Sequence, residues 1–265
     1  MTTKDNSLDS LAKNIQTLTF LVVFLIVAVG ILFFKDFVKK PESAEVKAVQ
    51  DEAVTQTQTP LVTLDQIKKL FVKGNIYFGN KNSKNLLVMV SDPSCPYCQI
   101  AAGENPELNS QAGSQFMLEQ DGGSYIAPVI KMRELVEQDK AAFVWLYQNG
   151  HNNGEMATKA LYCAHEQNKF WEAHDLLMSN EGYTLINDLV QNNQEKAPEL
   201  VSFLSSAVNS DKLINCLNSG KYDDRLAKDM ATAASLGVSG TPGFFVNTTN
   251  FAGAYSWSDM QSSVK

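Results

Sequence analysis

Ser91-Asp92-Pro93-Ser94-Cys95-Pro96-Tyr97-Cys98 is the stretch on which the fold turns. Ahead of it, Leu86-Leu87-Val88-Met89-Val90 is an unbroken apolar run that reads as a buried strand. Behind it, Gln99-Ile100-Ala101-Ala102 continues as helix. Two cysteines three apart at a strand-to-helix junction can close a reversible disulfide. Free backbone N–H groups and the helix dipole acidify a thiol at a helix start. Cys95 takes that place. Cys98, one turn on, faces inward and is less exposed. Cys95 therefore attacks or is attacked, and Cys98 resolves the mixed disulfide. Pro96 suits the first helical turn, and Tyr97 between the two sulfurs tunes their polarity.

A second piece lies far along the chain, in Gly237-Val238-Ser239-Gly240-Thr241-Pro242-Gly243-Phe244-Phe245-Val246. A Gly/Ser loop, then Thr-Pro, then a strand is what a cis-proline loop needs. Held against Cys95, such a loop leaves the backbone of Thr241 free to pair with a substrate strand. Around these pieces the pattern predicts a helix capped by Thr63 and ended by Gly74, then strands at 75–79, 86–91, 142–147 and 243–247. A last strand at 251–255 pairs with its predecessor through a short turn. Residues 105–123 read as irregular and polar. Pro128 opens a helix with Val129, Met132, Leu135 and Val136 on its apolar face. Strand, helical crossover and strand imply a parallel β-α-β unit. The crossover is long, so part of it is a surface insertion. Between 150 and 237 the spacing is helical.

With both pieces quoted, the chain resembles the DsbA-like thiol–disulfide oxidoreductases of the thioredoxin superfamily, in their membrane-anchored form. The resemblance runs from Asn75 to the end and includes Cys163-Ala164-His165-Glu166-Gln167-Asn168-Lys169-Phe170-Trp171-Glu172-Ala173-His174-Asp175 within the helical block. It implies an α/β thioredoxin-like fold with a helical insertion after the third strand, and work on cysteine-containing proteins outside the cytoplasm. Cys95 and Cys98 are then catalytic, Pro96 and Tyr97 tune them, and Thr241 and Pro242 bind substrate. Three features depart from the family. Met89 stands near the strand position where many relatives bury an acid, with Asp92 nearby but closer to the surface. Thr241, before the proline, is a residue associated more with reductases and isomerases than with strong oxidases. The 103–128 insertion is longer than usual. The direction of exchange is left open between oxidase and reductase or isomerase.

Leu18 to Phe34 is apolar apart from Thr19 and Gly30, and Ile15 extends the run backward. From Ile15 it approaches the ~20 residues that span a bilayer. Phe33-Phe34-Lys35-Asp36-Phe37 is a poor site for signal cleavage, which favours an uncleaved anchor over a signal peptide. The domain reading is a tail at 1–14, a transmembrane anchor at 15–35, a linker at 36–60 and a thioredoxin-like domain at 61–265. The unpatterned stretch from Pro41 to Pro60 reaches up to roughly 60 Å. Lys35, Lys39 and Lys40 after the span, against Lys4 and Lys13 before it, favour a cytoplasmic C-terminal side. The redox chemistry favours the opposite, and the expectation follows it: a single-pass membrane protein with its catalytic domain in the periplasm or at the cell surface.

The net charge of −7 and the absence of an Arg/Lys stripe disfavour nucleic acid. Zinc needs four ligands, and no second Cys-x-x-Cys or suitable histidine pair supplies them; no metal or cofactor is expected. Copper handling lacks the distant histidine it needs beside the cysteines. His151, His165 and His174 read as loop or packing residues. Cys163 and Cys216 read as a structural disulfide joining two helices; the alternative is two buried thiols packed as small hydrophobes, which a cytoplasmic setting would favour. The expected partners are cysteine-containing protein substrates, a membrane or soluble redox partner, and lipid at 15–35. The competing function is a membrane-tethered, thioredoxin-fold peptide-binding or chaperone module without redox turnover.

Overall fold

In the computed structural model the described residues are 62–265. The expected tail, anchor and linker lie outside them. Among the described residues no helix is long and apolar enough to cross a membrane. The first element, α1 (Leu64–Lys68), starts at a capping box: the Thr63 hydroxyl accepts the Gln66 N–H, and the Gln66 side chain accepts the Thr63 N–H in return. Then come β1 (Ile76–Phe78), β2 (Asn85–Ser91), α2 (Pro96–Ala102), α3 (Pro106–Gln111), α4 (Pro128–Glu137) and β3 (Ala141–Tyr147). A helical block follows, with α5 (Glu155–Glu166), α6 (Phe170–Leu177), α7 (Asn180–Thr184), α8 (Ala197–Phe203), α9 (Ser210–Asn218) and α10 (Asp223–Ser235). β4 (Gly243–Val246), β5 (Thr249–Ala252) and α11 (Trp257–Met260) close the chain.

The five strands form one mixed sheet in the order β1-β3-β2-β4-β5. β2 is central, parallel to β3 and antiparallel to β4. Every residue of β2 and β3 is buried. Leu87 and Met89 face a core with Val129, Met132, Ala157 and Phe170. Leu86, Val88 and Val90 face the other, with Ile67, Phe71, Ala233 and Leu236. Coverage on both faces explains why these strands read as unbroken apolar runs rather than alternating ones. This is the thioredoxin-like α/β arrangement, and it brings the end of β2 and the start of β4 together.

β1 is short, so the Tyr147 N–H at the end of β3 has no strand partner. The buried Asp229 carboxylate of α10 accepts it at 3.2 Å. The same carboxylate accepts the Tyr162 hydroxyl at 2.5 Å and pairs with Arg225. This network pins α5 and α10 to the sheet.

Three expectations need correction. α1 ends at Lys68, with Lys69 as its C-terminal cap, and does not run on to Gly74. Residues 105–123 are not wholly irregular: Asn105 accepts the Leu108 N–H and Pro106 stands in the first turn, so the proline begins α3. The end of α2 falls at Gly103, whose φ of 80° lies in the left-handed region. The last strand also starts earlier than 251–255. Asn247 takes a positive φ of 57° and Val246 pairs with Thr249, leaving a two-residue turn. Asn247 is held there by the Leu86 N–H, which donates to its side chain at 3.0 Å.

Candidate active site

Cys95 caps α2 with extended backbone, and Pro96 occupies the first turn. Its N–H donates to the Asp92 carbonyl at 3.0 Å, and its carbonyl accepts the N–H groups of Cys98 and Gln99 at 3.0 and 3.1 Å. The helix start is thereby fixed, with no acidic residue in its first turn to oppose a thiolate. Cys95 is 5% exposed and Cys98 fully buried; both are free thiols.

Their environments push them apart. The Cys95 thiol is lowered from 9.0 to about 6, chiefly by the hydrogen bond from Cys98. Burial opposes this, while Thr241 and the N–H groups of Cys98 and Tyr97 reinforce it. Cys98 is pushed well above 9.0, first by burial and then by its partner's charge. The Asp92 N–H donates to the Cys98 sulfur at 3.4 Å. Tyr183 stands close enough for the Cys95 charge, after burial, to raise its phenol.

Thr241-Pro242 is a cis peptide. The Cys95 thiol lies 3.5 Å from the Thr241 carbonyl, to which it donates in its protonated form. The Thr241 hydroxyl has no hydrogen-bond partner among the described residues. The Pro242 carbonyl is taken by the Gly253 N–H at 2.8 Å, which ties the loop to β5. A cavity of 280 Å³ opens beside it, lined by residues 237–243 with Asn250, Ala252 and Gly253. Tyr97 is half exposed. Its ring meets Phe116 edge-on at 5.9 Å, and Phe116 meets Tyr125 at 5.7 Å. The 103–128 insertion thus backs the variable residue of the Cys-x-x-Cys turn.

Asp92 is not near the surface as its place in the sequence suggested; it is fully buried. One oxygen accepts the Ser94 N–H at 2.8 Å and the Ser94 hydroxyl at 2.7 Å. The other accepts the N–H groups of Gly150 and His151 at 2.8 and 3.0 Å. Met89 lies in the core, so the buried acid closest in sequence to the cysteines is Asp92. Sequence reasoning also missed Gln99, whose amide donates to the carbonyls of Pro93 and Leu177, and Asn187, which donates to the Ser94 carbonyl. Asp two residues before Ser is an Asx-turn signal; it could have pointed to the first half of the Asp92 network.

The remaining candidates lie elsewhere. Cys163 in α5 and Cys216 in α9 are disulfide-bonded at 1.95 Å. His151 is exposed on its loop. His165 packs edge-on against Phe78 at 5.5 Å, and the buried His174 meets Asp175 at 3.1 Å. Among the described residues no group of three or more His, Cys, Asp or Glu gathers in metal-binding geometry.

A thioredoxin family model matches residues 131–265, half of the chain, entirely beyond Cys98. Solved structures share the fold across both halves. BdbD from Bacillus subtilis superimposes with a TM-score of 0.54 at 16% identity, over 72% of this chain and 91% of that one. An α-DsbA1 from Wolbachia pipientis gives 0.55 at 14% identity, over 77% and 94%. A thioredoxin-like oxidoreductase from Silicibacter pomeroyi gives 0.50 at 19% identity, over 76% and 94%. Among curated proteins, Na(+)/H(+) antiporter NhaA 3 of Salinispora tropica is 26% identical over 189 residues. That alignment takes in 70% of this chain but only 24% of the antiporter, so the chain spans about a quarter of the curated relative's length.

Proposed function

The chain belongs to the thioredoxin family, and from that premise we propose that it is a protein thiol–disulfide oxidoreductase acting through Cys95 and Cys98. The observation that carries this is the asymmetry of the two thiols at one helix start. Cys95 is acidic, slightly exposed and against the cis-proline loop; Cys98 is fully buried and held protonated. That pairing suits one attacking and one resolving sulfur.

In the reducing direction the Cys95 thiolate attacks a substrate disulfide. A Cys95–substrate disulfide forms, and one substrate thiolate leaves. Cys98 then gives its proton to the substrate thiolate that has left, and its sulfur attacks Cys95. The second substrate thiolate leaves, the substrate has gained two electrons, and Cys95–Cys98 is oxidised. A partner dithiol restores the reduced pair by the same exchange. In the oxidising direction every step reverses, and a partner disulfide accepts the electrons. The potential of the couple relative to its partners sets the direction. The substrate segment is held as an extra strand on the backbone of Thr241.

The proposal includes the anchor at 15–35 and an extracytoplasmic domain. The apolar run in the sequence supports the first, and a Cys163–Cys216 disulfide suits an oxidising compartment. The partners are cysteine-containing proteins and a soluble or membrane redox protein. The antiporter's transport activity is no part of the proposal, because three-quarters of that protein has no counterpart here.

The test is a trap. In Cys98→Ala, Cys95 should form a lasting mixed disulfide with an unfolded, disulfide-bonded protein, and Cys95→Ala should form none. Equal adducts in both variants, or none in Cys98→Ala, overturn the proposal. Full refolding activity in Cys95→Ser would leave the peptide-binding module, for which the cavity at the cis-proline loop provides room.

A further inference from the structure

We propose that the Asp92 carboxylate is a positioning residue that joins the Cys95–Cys98 turn to the loop backing Thr241, so that attacking thiol and substrate-binding loop are set by one buried group. The inference rests on the redox reading above and concerns a residue outside the Cys-x-x-Cys and Thr-Pro motifs.

Three observations carry it. The first is the division of the carboxylate. One oxygen is spent on Ser94, directly before Cys95, and the other on Gly150 and His151, which follow β3. All four contacts are donors, as a buried carboxylate requires. An amide in its place would set an N–H₂ against N–H or O–H groups on one side.

The second is the room made for it. Gly154 has φ −90° and ψ −2°, which any residue adopts, so conformation does not demand glycine. Space does: a Cβ on Gly154 would run into the Asp92 carboxylate and stand 3.2 Å from the Ser94 nitrogen. The third continues the connection. A Cβ on Gly150 would run into the Thr241 hydroxyl. The loop whose N–H groups bind Asp92 thus lies directly against the residue before the cis-proline.

Asp92 also contributes its own N–H to the Cys98 sulfur. Fixing the side chain fixes that amide, and the acceptor carbonyl of Asp92 for the Cys95 N–H. The side chain acts through these groups and touches neither sulfur in a hydrogen bond.

Charge and position predict opposite signs. If Asp92 acted only as a negative charge, removing it would ease ionisation of Cys95 and lower its titration midpoint. If it acts by position, loosening the turn raises the midpoint. The experiment is a pH titration of Cys95 alkylation, read by mass spectrometry on the full chain, with the thermal midpoint of the oxidised form as a folding check. The titrating neighbours of Cys95 are Cys98 and Tyr183, and both are retained in every variant.

Asp92→Asn and Gly154→Ala are each expected to raise the midpoint by one pH unit or more. The second keeps the charge, and it carries the test alone if the first does not fold. In Asp92→Ala the overlapping carboxylate is gone and only the 3.2 Å approach to the Ser94 nitrogen is left, so adding Gly154→Ala should change the midpoint by less than 0.3 pH unit, within ordinary additivity error. A lower midpoint in Asp92→Asn, or an unmoved one in folded Gly154→Ala, overturns the proposal. So does a double variant whose shift is the sum of the two. A native midpoint near 9 would instead overturn the redox reading, which separates the two failures.

Discussion

Replacing Cys98 by alanine removes the largest single cause of Cys95 acidity, the hydrogen bond from its neighbour. The native thiol sits at about 6, so about nine-tenths is thiolate at pH 7. Thr241 and the N–H groups of Cys98 and Tyr97 survive the substitution, and burial still opposes them. The midpoint should therefore rise by one pH unit or more. At pH 7 the thiolate fraction then falls to about half or less. Rate alone is a poor reporter of this change. Thiolate nucleophilicity rises roughly threefold per pH unit of basicity, from a Brønsted slope of ~0.4–0.5. The smaller thiolate fraction and its greater reactivity nearly cancel at neutral pH. The assay is the full pH profile of iodoacetamide alkylation of Cys95, whose midpoint moves whatever the plateau does. A midpoint within 0.3 pH unit of native would refute the assignment of Cys98 as the principal donor; the threshold is about 0.4 kcal/mol.

Other outcomes follow from the same structure. Opening the Cys163–Cys216 bridge, with a sequence separation of 53, should cost about 4 kcal/mol on the chain-entropy account; urea melts of the double serine variant measure it, and the Cys95 midpoint should not move. Asp229→Ala strands the Tyr147 N–H and leaves Arg225 without its carboxylate, its bond to the Tyr162 hydroxyl remaining, a loss of about 3–5 kcal/mol, while Asp229→Asn, which keeps an acceptor, should lose less. Stability of the protein reduced at Cys95 and Cys98 should rise with pH between about 6 and 8.5. A depressed Cys95 stabilises above the unfolded thiol's pKa and loses that contribution as pH falls through about 6. The raised Cys98 acts in the opposite sense, and only above the ordinary thiol range. In the lower window the slope should approach about 1.4 kcal/mol per pH unit, and melts of the oxidised protein should lack this component.

The fold and the thiol pair were legible because their signals are local or strongly patterned. β2 and β3 are covered on both faces, so each is a continuous apolar run. Cys95-Pro96 carries its own helix-start chemistry, and Thr241-Pro242 stands directly before β4. What escaped was non-local. Asp92 reads as a polar residue leaving a strand; its burial depends on Gly150 and His151, donors from the far side of the β-α-β unit. Asp229 reads as one more charge on a polar helix, and its role depends on β1 ending before it can pair Tyr147. The hairpin register turned on Asn247, whose positive φ is sustained by a partner at Leu86 in another strand.

The central claim is that Cys95 and Cys98 form a reversible redox couple. Equilibrating the full chain across a series of glutathione ratios, quenching with acid and counting alkylated cysteines tests it most directly. Cys95 and Cys98 should lose reactivity together, in one two-electron transition that reverses on reduction, with Cys163 and Cys216 unreactive throughout. Two thiols that stay alkylatable at every ratio, or a glutathione adduct on Cys95 that Cys98 never displaces, would contradict it.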